Sequence, residues 1–69
     1  MRYAVVFEHG PSSVGATVPD LPGCVAVAKT LDEARTLIVE AIEFHIEGMR
    51  LHGERVPEPT TLAELVEVG

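Results

Sequence analysis

Two prolines in the run Val18-Pro-Asp-Leu-Pro-Gly-Cys24 constrain this chain more than any other feature. Proline fixes φ and holds the residue before it in extended backbone, so Pro19 and Pro22 exclude a helix here and keep Val18 and Leu21 extended. Asp20 has nearby amides to bond, and Gly23 is free to take positive φ. The run is therefore a rigid, kinked connector between two apolar segments. Shortly after it comes Thr30-Leu-Asp-Glu-Ala34. Thr30 and Glu33 have capping-box spacing, in which the Thr hydroxyl accepts from the Glu33 amide and Glu33 reaches back to the Thr30 amide. Asp32 and Glu33 also complement the positive end of a helix.

These signals predict a helix from the Thr30 cap to about His52, with Gly53 as the residue beyond its end. Its length is roughly 33 Å at 1.5 Å per residue. Leu31, Ala34, Leu37, Ile38, Ala41, Ile42, Phe44 and Met49 share one broad face, with Val39 and Ile46 beyond its edge. Glu40, Glu43 and Glu47 mark the opposite face. The apolar arc is wider than one small sheet covers, which points to a second subunit. Gly48 lies inside the helix at a cost of about 1 kcal/mol against Ala.

Before the helix, Arg2 to Phe7 alternates with apolar residues on both faces and is expected to be a central strand. His9 to Ser13 is a turn by composition, and Val14 to Val18 is a second strand that pairs back on the first. Cys24 to Ala28 is a third strand, whose small side chains allow a helix to pack closely. Beyond the helix, Val56-Pro-Glu-Pro59 favours an extended path. In the remainder, Thr61 is a candidate cap for a short turn, and Leu65 to Val68 a final strand at the sheet edge or in a neighbouring subunit. The expected architecture is α+β, in the order β-β-β-α-β, an antiparallel sheet packed by one long helix.

With 69 residues, the chain is one domain, 1–69. A domain of this size buries only about 60% of its unfolded surface, and such domains usually need disulfides, a metal or oligomerisation. Cys24 is the only cysteine, so no internal disulfide forms. A hydrophobic content of 46% is enough for a packed core. No stretch is long enough for a membrane span, and the N-terminal apolar run is too short for a secretion signal. A cytoplasmic protein is expected.

Acidic residues outnumber basic ones by 11 to 5, for a net charge of −6. Such a surface repels phosphate, so direct DNA or RNA binding is disfavoured and a basic partner is favoured. The same charge also serves plain solubility.

A catalytic constellation is not evident. Ser12 and Ser13 lack a nucleophile-elbow context. Cys24 opens an apolar strand with no basic neighbour to lower its pKa, and is expected to be buried and inert. His45 and His52 are roughly 10.5 Å apart on a helix, too far to share a metal within one chain. Metal-ligand and phosphate-loop motifs do not occur. The acids Glu8, Asp20, Glu40, Glu43 and Glu47 raise the alternative of a metal-dependent nuclease, which requires them to converge. No cofactor is expected.

The order of blocks resembles the HicB antitoxin family, including its short single-domain members. The resemblance rests on Tyr3-Ala-Val-Val-Phe-Glu8, Val18-Pro-Asp-Leu-Pro-Gly-Cys24, Thr30-Leu-Asp-Glu-Ala34, Glu40-Ala-Ile-Glu-Phe-His45 and Val56-Pro-Glu-Pro59. Within it, Pro19, Asp20, Leu21, Pro22, Gly23, Cys24, Thr30 and Glu33 act as a structural signature. The resemblance implies a partial RNase H-like fold without nuclease activity. It also implies a partner, a small basic HicA-like toxin that cleaves RNA and is neutralised by occlusion of its active face. Glu40, Glu43 and Glu47 are the candidate contacts. Many family members carry a DNA-binding domain after this one, and a chain read to Gly69 leaves no room for it. A homodimer or higher homo-oligomer is expected, and a stand-alone structural oligomer is the third alternative.

Overall fold

Turn chemistry and capping place the elements. The computed structural model describes residues Met1–Gly69. Its elements are β1 (Val6–His9), β2 (Val14–Thr17), β3 (Val25–Ala28) and α1 (Leu31–Leu51). Gly10 to Ser13 closes the first hairpin through a bond from the Gly10 amide to the Ser13 carbonyl at 2.7 Å. The proline connector closes the second. Within it, the Leu21 amide donates to the Val18 carbonyl and the Cys24 amide to the Leu21 carbonyl, each at 3.0 Å. Gly23 takes φ of +85°, which a Cβ would disfavour.

The three strands form one antiparallel sheet in the order β1-β2-β3. The first strand is therefore an edge and β2 is central, the reverse of the sequence expectation. Two successive short connections leave the middle strand between its neighbours. The first strand is also shorter at its start than the expected Arg2–Phe7. Its register pairs Val6 with Thr17. Extending that register would bring Ala4 opposite Pro19, which has no amide to donate. The Val18 amide is meanwhile taken by the Cys24 carbonyl at 3.3 Å. Tyr3 and Val5 still pack against the core, from outside the ladder.

Side chains alternate across the sheet. Phe7, Ala16 and Ala26 align on one face with Val14 and Ala28, and α1 covers that face over β2 and β3. The small residues let the helix approach closely, as expected, and Ala34 is wholly buried against Val14 and Ala28. Leu21 of the connector reaches back into the larger cluster of Ala16, Val18, Cys24 and Ile38. The other sheet face carries Val6, Val25 and Val27, all exposed.

α1 begins at the predicted cap, but only half of the capping box forms, since the Glu33 carboxylate makes no bond to the Thr30 amide. Thr30 is extended at φ −126° and ψ 160°, and its hydroxyl accepts from the Glu33 amide at 3.2 Å. Asp32 and Arg35 form an exposed ion pair at 2.9 Å. The helix ends in a Schellman motif: the Gly53 amide donates to the Arg50 carbonyl at 3.1 Å and the Glu54 amide to the Met49 carbonyl at 2.8 Å, with Gly53 at φ +70°.

The predicted assignment of α1's faces needs two corrections. Ile46 packs on the core, while Leu37 and Phe44 face solvent, Phe44 at 79% exposure. At about 100° per residue, the line through Ala34, Ile38, His45 and Met49 points at the sheet, and Phe44 lies roughly a quarter-turn or more from it. The fourth strand is not formed within this chain. Residues after Gly53 belong to no helix or strand, and Leu62, Leu65, Val66 and Val68 are exposed. Thr61 caps no helical turn, as no helix follows it; its amide and hydroxyl donate to Asp20 instead.

Candidate partner-binding surface

Glu40, Glu43 and Glu47 are all exposed on the side of α1 turned away from the sheet. Spacings of three, four and seven residues stack them along one helical line. Glu33 lies on the same side, also exposed, nearer the start of the helix. Leu37, Phe44 and Leu51 border this line and are exposed as well. The result is an acidic ridge edged by apolar side chains. Glu43, Ile46, Glu47, Arg50 and Leu51 line a shallow groove on its flank.

A second depression lies where the connector meets the end of α1. Leu21 and Pro22 form one wall, and Phe44, His45, Gly48 and His52 the other. His45 is half-buried there, and the His52 ring bonds the Gly48 carbonyl at 2.8 Å. A Cβ added at Gly48 meets nothing within 4 Å, so this glycine supports no close backbone approach inside the chain.

The signature residues divide by role. Leu21 and Cys24 are buried, Gly23 supplies the turn, and Pro19 and Pro22 are exposed stiffeners. Burial raises the Cys24 thiol above its ordinary value, which keeps it protonated. Thr30 and Glu33 make the cap.

Asp20 has a role that local reasoning does not find. Instead of bonding nearby amides, it accepts four hydrogen bonds from Thr60 and Thr61, some 40 residues away. The two amides lie at 3.0 Å each and the two hydroxyls at 3.1 and 2.9 Å. The Thr61 amide is the chief reason its carboxyl sits below the usual range, aided by the other three donors. Tyr3 adds a second anchor, its hydroxyl donating to the Pro57 carbonyl at 2.6 Å. These contacts tie together the segment before β1, the connector and the stretch after α1. The signal for them was present only as a polar pair, Thr60-Thr61, beside a stiff Pro-x-Pro.

The acids do not gather. Glu8 is exposed on β1, Asp20 is occupied by the two threonines, and the helix glutamates face outward. No group of three or more His, Cys, Asp or Glu side chains is placed to hold a metal ion. No helix is long and apolar enough to cross a membrane.

The chain is a small α+β domain whose connector fills the core through Leu21 and whose helix presents an acidic, apolar-edged side. Residues 3–68 match the family model described as the HicB-like antitoxin of bacterial toxin–antitoxin systems, and the chain belongs to that family. It is 42% identical over 60 residues to a UPF0150 protein of Thermoplasma acidophilum, covering 83% of this chain and 84% of that one. It is also 42% identical over 48 residues to a UPF0150 protein of Archaeoglobus fulgidus, covering 68% and 70%. An uncharacterized 14.9 kDa protein from the rep–hol intergenic region of Haemophilus phage HP1 is 36% identical over 66 residues. That match takes in 96% of this chain but only 50% of the phage protein.

Proposed function

We propose that this chain is a non-enzymatic, cytoplasmic antitoxin that binds a small, basic, HicA-like RNA-cleaving toxin and covers its active face. Membership of the antitoxin family sets the class of function. The observation that carries the finer reading is the ridge of Glu40, Glu43 and Glu47 beside exposed Phe44 and Leu37. An RNA-cleaving protein needs a cationic surface for phosphate, and an anionic ridge competes for that surface. The ridge steers encounter, and Phe44 supplies a large apolar anchor of the kind that holds complexes together once docked. The same reading takes the β-β-β-α core as a partial RNase H-like domain kept as a scaffold.

The test is association of the purified chain with a HicA-like toxin, followed by surface plasmon resonance and by protection of RNA from cleavage. Reversing Glu40, Glu43 and Glu47 to Lys is expected to slow association by about tenfold or more at low salt. Phe44→Ala is expected to speed dissociation instead. An on-rate indifferent to the triple reversal removes the ridge from the mechanism, and the absence of binding to such a toxin removes the partner.

A further inference from the structure

The last stretch of the chain is apolar and uncovered. Leu62, Leu65, Val66 and Val68 are exposed, Leu65 completely, and the segment pairs with no strand of its own chain. Its root is nevertheless held. Tyr3 grips Pro57, and Asp20 grips Thr60 and Thr61. Beyond Thr61 every residue to Gly69 is exposed. The radius of gyration is 13.3 Å, against about 11 Å for a compact chain of this length.

β3 has the complementary deficit. It is an edge strand, Val25-Ala-Val-Ala28, with no charge and no proline, and Val25 and Val27 are 58% and 67% exposed. Proteins guard open edges with charges, bulges or prolines, because a free row of amides and carbonyls recruits other strands. The opposite edge, β1, carries exposed Glu8 and His9. β3 carries nothing of the kind within its length.

We propose that residues Leu62–Val68 of one copy add as a strand to the β3 edge of a second copy, reciprocally, to form a closed twofold dimer. Each chain supplies both the uncovered strand and the uncovered edge, so a second copy satisfies both at once. Reciprocal exchange closes the assembly, whereas one-way addition would propagate into fibres. Charge agrees: Glu64 and Glu67 flank Leu65 and Val66 in the tail, and Lys29, the only lysine, directly follows β3. The exchange makes each sheet four-stranded, with the last strand supplied by the partner. It uses the β3 edge and leaves the outward ridge of α1 free, so it stands or falls separately from toxin binding.

Sedimentation velocity of the full chain at micromolar concentration is expected to give a dimer. Val66→Pro removes a ladder amide from the tail and is expected to weaken dimerisation at least tenfold, with the helical circular dichroism signal of α1 retained. Mixing Val27→Cys chains with Val66→Cys or Glu67→Cys chains under mild diamide oxidation is expected to give interchain disulfides, with little from Val27→Cys alone. A monomeric wild-type chain, a dimer indifferent to Val66→Pro, or efficient self-linking of Val27→Cys overturns the proposal. The last result would mean that β3 edges pair with each other.

Discussion

At the residue scale, the connector shows how few side chains set the fold. Leu21 is 1% exposed and fills the core from a loop. Leu21→Ala is expected to cost about 2–5 kcal/mol in urea unfolding, through lost burial plus the cavity left behind. Gly23→Ala meets no neighbour, so its cost is backbone alone, about 1–2 kcal/mol at positive φ. Gly23→Asn should recover part of that, which separates conformational strain from crowding.

Asp20 yields a pH dependence with a definite sign. Its folded carboxyl is held below its ordinary value of 3.8, with the Thr61 amide as the largest cause. The stabilisation is therefore present above that ordinary value and is lost as pH falls below it, through the depressed folded value. Amide exchange at Thr60 and Thr61 should quicken over that range while α1 remains protected. Asp20→Asn should produce the same local loosening at neutral pH.

Among the elements, α1 was the most legible in the sequence because its signals are local. The Thr30 cap, the first-turn acids and the Gly53 stop each act within a few residues, and all three are present in the structure. Thr30→Ala should cost about 1 kcal/mol. Gly48→Ala should stabilise the free chain by about 1 kcal/mol in thermal or urea unfolding, because its Cβ enters open space. The strands were less legible. That β2 rather than β1 is central depends on how three short strands order themselves, which alternation within β1 does not encode. Phe44 was misplaced because hydrophobicity marks a residue as wanting cover without saying whether the cover lies in the same chain. The Asp20 clamp spans 40 residues and left no local periodicity to follow.

For the whole molecule, two kinds of surface imply opposite responses to salt. In the proposed contacts, the ridge on α1 would act through charge, and the tail exchanged onto β3 chiefly through apolar contact and backbone pairing. Raising ionic strength from about 0.05 M to about 0.5 M shrinks the Debye length severalfold. Toxin association should slow markedly over that change, while the dimer measured by sedimentation should hold. A dimer that dissociates in parallel would mean that charge holds both interfaces.

The Asp20 clamp also sets how far residues 62–69 can stand from the body. With Thr60 and Thr61 held, the segment out to Gly69 spans at most roughly 27 Å when extended. Released back to Pro57, it would span roughly 40 Å. The local concentration of a tethered strand at its target falls steeply once the tether exceeds the required span. One carboxylate thus works as a ruler, and shortening or freeing the leash behind it would retune which neighbour the tail finds first.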